Sequence, residues 1–452
     1  MRIGDLAGRR VAVWGFGREG HVVLHALRTR LPAQEFTLLC SAAEVEAARA
    51  FDPELALVAG EPDADTLAGF DVVVKSPGIS AYKPALLAAQ ARGLRVTSGT
   101  ALWFAENPDA RVIGVTGTKG KSTTSALIAH LARALGVRTA LAGNIGLPLL
   151  QLLGQRADLW VVELSSFQTG DAGPLELGIV TSLYEEHLDW HVTLERYVTD
   201  KLKLAAVSRH LLVNGGQEWL LERTATHRAR STFGPASAWQ VRDGFICRNG
   251  QRVFALARLP MPGAHNAGNA CAALAALELV GLDALAAAPA LVSFRPLPHR
   301  LHLLGEQNGH AWVDDSISTT PLATLAALES LRDRAVTVLV GGYDRGLDWT
   351  PFVARVRDTP PAAIVCMGAN GARIAAALQA AQVACPVTGA ADLAGAVAAA
   401  SAATPPGGVI LLSPGAPSFD QFRNYAERGR TFASLAGFNG GLLADIPGLG
   451  IA

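Results

Sequence analysis

Short apolar runs alternate with alanine- and leucine-rich helical stretches along almost the whole chain. RRVAVWGFG leads into a helix from about Glu19, FTLLC and DVVVKSPG follow, and RVIGVTG leads into a helix from about Ser122. LWVVELSS, TVLVGG, AAIVCMG and GVILLSPG continue the pattern. Such alternation predicts an α/β chain of parallel sheets covered on both faces, with ligands at the carboxyl ends of the strands. At 452 residues the chain exceeds one hydrophobic core, and domains of ~100–200 residues make three the natural division. One boundary is expected near Asn107–Asp109, between the helical TALWFAE and the strand RVIGVTG, and another in the proline-rich FRPLPHR, near Pro296–Pro298. The expected domains are therefore 1–107, 108–296 and 297–452.

Lys+Arg and Asp+Glu both number 39, and no block of like charge occurs, so nothing in the chain tracks a nucleic-acid backbone. The start, MRIGDLAGRRVAVWGFG, lacks the apolar core and cleavage site of a signal peptide, which suits a cytoplasmic protein. Leu393–Phe419 is free of charge, but Pro405, Pro406, Gly407 and Gly408 interrupt it. It reads as a helix, a turn and a buried strand, not a membrane span. Five scattered cysteines with no C-x-x-C pair argue against a disulfide framework or a zinc site.

The strongest motif is VTGTKGKSTT, Val115 to Thr124, between a strand and a helix. Gly117 and Gly120 let the backbone of Thr118, Lys119 and Thr123 curl around phosphate oxygens, Lys121 supplies a cation, and the Ser122 hydroxyl can ligate Mg²⁺. The first glycine of the usual phosphate-loop pattern is Val115 here. GFGREG, Gly15 to Gly20, matches a dinucleotide fingerprint, but the next strand ends in Cys40-Ser41 where a ribose-binding acid is wanted. It reads as a diphosphate-binding turn, with Gly17 and Arg18 as candidate contacts. SPGIS offers a second loop, with Ser76 and Gly78, for a nucleotide-diphosphate substrate.

Glu163 ends the strand of VVELSSFQTG, and SLYEEHLDWH presents His187 at another strand end, so both are candidate metal ligands beside the phosphate loop. Tyr197 and Lys201 lie four apart on one helical face, where an exposed lysine is the default. In PGAHNAGNACAALAA, His265, Asn266 and Asn269 can hold adenine or phosphate, or Asn266 can simply cap the helix. Further polar groups stand at strand or loop ends: Arg300, Asp315, Asp344 with Arg345, and Ser418.

Together TGTKGKST, GNIG, ELSSFQ, EEHLDWH with Y-x-x-x-K, HNxxN, LPHR, DSxST, GGxDRG and LLSPGxxSxDQF resemble the Mur ligases, in their glutamate-adding group, over nearly the whole chain and in order. The resemblance implies an N-terminal Rossmann-like UDP-binding domain, a central P-loop ATPase domain and a Rossmann-like C-terminal domain that brings the amino acid. It implies ATP and Mg²⁺ as cofactors, with Lys121, His187 and Lys201 in catalysis and Ser122, Glu163, His187 and a carbamylated Lys201 at the metal. Asn144 would contact the muramoyl substrate, and Asn269, Arg300 and Asp315 would handle ATP. The implied substrates are UDP-N-acetylmuramoyl-L-alanine and glutamate, joined through an acyl phosphate in peptidoglycan precursor synthesis.

Departures cluster around the incoming amino acid. Ile317 stands where the family has a lysine, Arg345 replaces another, and Phe419 and Tyr425 replace a Leu and a Phe beside Ser418. With Thr319, these residues make up the expected amino-acid pocket. DSISTTP, GGYDRGLDW and SPGAPSF are more similar to the branch that attaches L-glutamate, which implies a separate epimerase to invert the product. D-glutamate is the alternative. A P-loop kinase or motor, a Rossmann oxidoreductase and a folylpolyglutamate synthetase-like ligase are rival readings, the last disfavoured by the GFGREG domain. Cys40-Ser41 also leaves the uridine contacts open.

Overall fold

The computed structural model describes residues 1–184, 188–261, 263–344, 346–443 and 448–452. They form two compact units, Met1–Phe294 with Gly448–Ala452, and Arg295–Pro447.

The first unit opens with a parallel sheet of β1 (Val11–Trp14), β2 (Thr37–Cys40), β3 (Ala56–Ala59), β4 (Val72–Lys75) and β5 (Arg95–Thr97), in the order β3-β2-β1-β4-β5. β1 and β4 are buried at every position, as continuous apolar strands between two helical layers must be. The strand order reverses between β1 and β4, so the loops leaving them diverge and open a crevice at their carboxyl ends. Those two loops are GFGREG and SPGIS.

A second sheet in the same unit contains β6 (Val112–Thr116), β7 (Thr139–Gly143), β8 (Leu159–Glu163), β9 (Leu175–Val180), β10 (Ser208–Asn214) and β11 (Arg230–Phe233). Its order is β11-β10-β9-β6-β8-β7, with a last strand, Gly450–Ile451, antiparallel on the β7 edge. The Arg133 guanidinium holds that strand by donating to the carbonyls of Gly448, Gly450 and Thr139. A small antiparallel sheet, β12 (Trp239–Arg242), β13 (Phe245–Arg248) and β14 (Gln251–Ala255), follows β11. Trp239 and Arg248 both donate to Glu278 of the helix Ala264–Leu279, which anchors it.

The second unit is one sheet of β15 (His302–Gln307), β16 (His310–Asp314), β17 (Val336–Val340), β18 (Ala363–Met367), β19 (Val387–Ala390) and β20 (Val409–Leu412). Its order is β15-β16-β20-β17-β18-β19, parallel except for the β15/β16 hairpin. The uncharged stretch from Leu393 resolves into a helix, Leu393–Ala403, a turn and the buried β20. Among the described residues no helix is long and apolar enough to cross a membrane. All five cysteines are free thiols, and Cys40, Cys247, Cys271 and Cys366 are buried.

Close packing of the helix Arg18–Arg30 on β1 depends on Gly20, where an added Cβ would lie 2.0 Å from the Gly15 carbonyl oxygen. Gly20→Ala is therefore expected to cost about 1–3 kcal/mol. Urea denaturation measures it, and an unchanged midpoint would refute this packing.

Candidate functional site

The backbone after β6 turns sharply. Gly117 has φ +148° and Gly120 φ +86°, and a Cβ would meet Thr181 Oγ1 at 2.0 Å at the first and Asn269 Oδ1 at 2.6 Å at the second. Left-handed backbone and close approach both demand glycine here. Thr118 N donates to Ser182 O (2.8 Å) and Lys119 N to Ser182 Oγ (2.8 Å), strapping the loop to the segment after β9. The helix Lys121–Ala134 then begins at Gly120 with no side-chain cap hydrogen bond, the backbone arrangement of a helix N-terminus that can receive an anion. Ser122 is half-buried in that first turn and Thr123 is buried behind it.

Two lysines meet at this loop. Lys121 Nζ donates to Gly117 O (2.8 Å) and Thr118 O (3.0 Å), and Lys201 Nζ donates to the same Gly117 O (3.1 Å). Lys201 is only 2% exposed, which corrects the default of a solvated surface lysine. It lies 4.9 Å from the Tyr197 ring centroid, and the Tyr197 hydroxyl is 2.7 Å from Thr118 Oγ1. The helix Leu194–Ala206 thus turns its Tyr197/Lys201 face to the phosphate loop.

Glu163, the last residue of β8, stands in register with Val115 and is 1% exposed. Its Oε1 accepts from Asn144 Nδ2 (2.8 Å), while Oε2 is buried without a hydrogen-bond partner among the described residues. An undonated, buried carboxylate oxygen is costly and suits a cation ligand. His187 lies outside the described residues. Asn269 presents Oδ1 to the loop, accepting from Thr124 Oγ1 (3.3 Å), and its Nδ2 donates to Asn266 Oδ1 (3.3 Å). Gly263 is the N-cap of that helix, so Asn266 does not cap it.

A polar network behind these groups had no clear sequence signal. His191 is fully buried, with Nδ1 2.7 Å from Asp200 Oδ2 and Nε2 2.9 Å from Ser166 Oγ. The carboxylate partner assigns the Nδ1 proton. Tyr82 OH (2.8 Å) and Lys203 Nζ (2.7 Å) also reach Asp200. Burial pushes the Asp200 carboxyl up, but hydrogen bonds from His191, Lys203 and Tyr82 hold it below its ordinary value.

In the crevice of the first sheet the two loops lie side by side, since a Cβ on Gly15 would come 2.9 Å from Ser76 Oγ. Gly17 and Gly78 face open space, with nothing within 4 Å of an added Cβ. Arg18 Nη1 donates to Gly146 O (2.5 Å), joining the crevice to the GNIG turn that carries Asn144. Burial pushes the neighbouring Glu19 up to about 7. Ser41 donates through N and Oγ to Glu44, so it starts a short helix.

In the second unit Asp315 is buried and accepts from Leu301 N (3.1 Å), Ser413 Oγ (2.8 Å) and Ser318 Oγ. Burial pushes its carboxyl up to about 6, with the serines and Arg300 opposing. Ser418 is buried, Thr319 half-buried, and Phe419 58% exposed at the surface. Tyr425 stands edge-on to His299 at 5.9 Å, and Arg345 lies outside the described residues. Asp344 is exposed and paired with Arg373 (2.8 Å), so its carboxylate is already engaged. Sequence reasoning passed over Arg428, which is 1% exposed and donates to the carbonyls of Ser316 and Ala416.

A family model for the Mur ligase middle domain matches residues 115–277, and one for the Mur ligase glutamate ligase domain matches residues 299–415. The chain is 49% identical to the UDP-N-acetylmuramoyl-L-alanine–L-glutamate ligase of Xanthomonas campestris pv. campestris (strain 8004), over 100% of both chains. It is 42% identical to the protein of that name from Salinispora tropica, over 96% of this chain and 98% of the relative. Among solved structures, the UDP-N-acetylmuramate–alanine ligase of Thermotoga maritima aligns with a TM-score of 0.59 at 18% identity, covering 94% of this chain and 98% of that one. At that identity the likeness speaks for the fold alone.

The raised Asp315 pKa sets a pH dependence. An acid whose folded pKa lies above its ordinary 3.8 binds more protons folded than unfolded between about 4 and 6, so stability falls as pH rises through that window. Denaturant titrations at pH 4 and pH 7 should show Asp315→Asn gaining on the unsubstituted protein by on the order of 2–3 kcal/mol as pH rises. Parallel pH profiles for the two proteins would contradict it.

Proposed function

Because the chain belongs to the Mur ligase family, we propose that it joins glutamate to UDP-N-acetylmuramoyl-L-alanine, driven by ATP, in peptidoglycan precursor synthesis. The observation that carries this reading is the meeting of Lys121 and Lys201 at the Gly117 carbonyl, next to the strand that ends in Glu163. A phosphate loop alone fits any NTPase. A second buried lysine on the same carbonyl fits an enzyme that must also manage an acyl phosphate.

In this reading residues 1–107 bind the nucleotide substrate, 108–296 bind ATP, and 297–452 bring the amino acid. Gly117 to Thr123 cradle the triphosphate, and Asn269, Arg300 and Asp315 are assigned to ATP binding by the resemblance to the family. Ser122, Glu163, His187 and a carbamylated Lys201 would hold Mg²⁺, and the undonated Glu163 oxygen fits that role. When bound, Mg²⁺ neutralises charge on phosphate oxygens. Carbamylation would turn a second ammonium at the loop into an anionic ligand and remove a like-charge contact with Lys121.

Gly17, Arg18, Ser76, Gly78 and Asn144 position the nucleotide substrate so that its alanyl carboxylate attacks the γ-phosphorus, giving an acyl phosphate and ADP. Lys121 offsets the charge of that transfer. The glutamate amine then attacks the acyl carbon, and phosphate leaves the tetrahedral intermediate. Thr319, Arg345, Ser418, Phe419 and Tyr425 receive the glutamate. We assign the reaction to the cytoplasm, where ATP and nucleotide-linked precursors are found, and its product to a separate epimerase.

L-glutamate is the enantiomer we assign. Inversion at Cα exchanges the places of the α-carboxylate and the side chain while the amine stays aimed at the acyl phosphate. Ile317 cannot pair with a carboxylate, whereas the Arg345 fork can take one in bidentate fashion. Phosphate release should require ATP, Mg²⁺, the muramoyl nucleotide and glutamate together. The kcat/KM for L-glutamate should exceed that for D-glutamate by up to ~10⁴-fold. Equal release without the muramoyl nucleotide sinks the ligase reading, and preference for D-glutamate sinks only the stereochemical one. Lys201→Ala should lose most activity and regain part of it with short-chain carboxylic acids. An active Lys201→Ala enzyme rules out the carbamate.

A further inference from the structure

The loop that follows β4 is held from behind by two residues from distant parts of the chain. Lys75, the last residue of β4, is 7% exposed, and its Nζ donates to Ser76 O (3.2 Å) and Ile79 O (2.7 Å). Trp190, equally buried, donates from Nε1 to Pro77 O (3.0 Å) and accepts from Ser80 Oγ at its own carbonyl (2.7 Å). Its ring stacks on Phe167 at 4.7 Å and meets Tyr82 edge-on at 5.8 Å, and the Lys75 ammonium lies 5.6 Å from its centroid. Burial pulls that ammonium down to about 8, with Asp171 opposing, so a desolvated cation is kept under the loop.

The consequence follows from peptide geometry. In a planar trans peptide the C=O and N–H point in opposite directions, and the described chain has no cis peptide bond. With the Pro77 carbonyl on Trp190, the Gly78 N–H points away from the indole. With the Ile79 carbonyl on Lys75, the Ser80 N–H points away from the ammonium. At Gly78 the outward space is open, because an added Cβ would meet nothing within 4 Å. The Ile79 amide between them donates back to Ser76 O (3.2 Å), closing the loop, so the Gly78 and Ser80 amides are the ones turned outward, where backbone N–H groups can receive an anion.

We infer that Lys75 and Trp190 are positioning residues that hold the Ser76–Ser80 loop in an anion-receptive shape, with the Gly78 and Ser80 amides as donors to phosphate oxygens of the nucleotide substrate. The inference rests on the nucleotide-substrate reading given above. A lysine that merely ends its strand, or a tryptophan that merely fills space, has no reason to take three carbonyls of one loop between them. Trp190 also precedes His191, whose ring bonds to Asp200 and Ser166, so the clamp is fixed to the polar network behind the phosphate loop.

Calorimetric titration of the full chain with UDP, and separately with a non-hydrolysable ATP analogue, tests this in Trp190→Phe, Lys75→Met and Gly78→Ala. Trp190→Phe keeps a stacking ring and removes only the donor to Pro77. Gly78→Ala touches nothing in the protein and fills only the space a ligand needs. Each variant is expected to bind UDP roughly tenfold more weakly and the ATP analogue within about twofold of the unsubstituted protein. UDP affinity unchanged in both Trp190→Phe and Gly78→Ala overturns the inference, as does equal loss of both ligands, which marks general damage. If the unsubstituted protein itself fails to bind UDP, the nucleotide-substrate reading falls first.

Discussion

Two lysine ammoniums share one carbonyl oxygen, that of Gly117, and the organisation of the first unit follows from this contact. Gly117 can offer its carbonyl there only because its left-handed φ and missing Cβ let the loop press against Thr181 and Ser182. Those residues directly follow β9, which pairs with β6, so sheet register fixes where the oxygen sits. The Lys201 helix must then lie across the carboxyl ends of both strands. An anion drawn to this point meets the Lys121 ammonium and a helix N-terminus at once, which is what phosphoryl transfer asks of a site that performs no covalent chemistry of its own.

Burial makes the arrangement selective. Lys201, Glu163, His191 and Asp200 are all nearly inaccessible, and each such group is tolerable only when hydrogen-bonded or matched to a ligand. His191, Asp200 and Ser166 satisfy one another, and Tyr82 extends the network to the loop of the nucleotide crevice. The crevice and the phosphate loop are therefore parts of one hydrogen-bonded body. In the proposed reaction, a substrate carboxylate delivered from one to the other would gain orientation without the cost of ordering a mobile link.

In the second unit the same logic appears around Arg428. Its guanidinium donates to Ser316 and Ala416, while Nε and Nη1 are buried with no hydrogen-bond partner among the described residues. Burial pulls it down to about 10, with Asp420 and Asp314 opposing. Gly429 permits this packing, since a Cβ there would lie 2.2 Å from His299 Nδ1. The chain segments that carry Asp315 and Ser418 are thus joined through one buried cation, independently of the residues whose side chains differ from the family pattern.

Strand–helix alternation was enough to read the parallel sheets and the strand ends that bear function, because a buried parallel strand is a continuous apolar run whatever packs on it. The phosphate loop was equally legible, since Gly117, Gly120, Lys121 and Ser122 are local in sequence and their chemistry depends on one turn. The residues alone marked Glu163 as a candidate metal ligand and Asn266 and Asn269 as candidate ATP contacts, with capping the alternative for Asn266, but they left Lys201 as a surface lysine, and only the family motifs singled it out. Only tertiary structure decided that Lys201 is buried on the Gly117 carbonyl, that Asn266 supports Asn269, and that Lys75 and Trp190 grip one loop. The Lys201 and Trp190 contacts join segments far apart in the chain, and the Asn266 and Lys75 contacts depend on where a side chain turns within its own segment; periodicity and spacing record only which side of its element a residue occupies, not what that side meets.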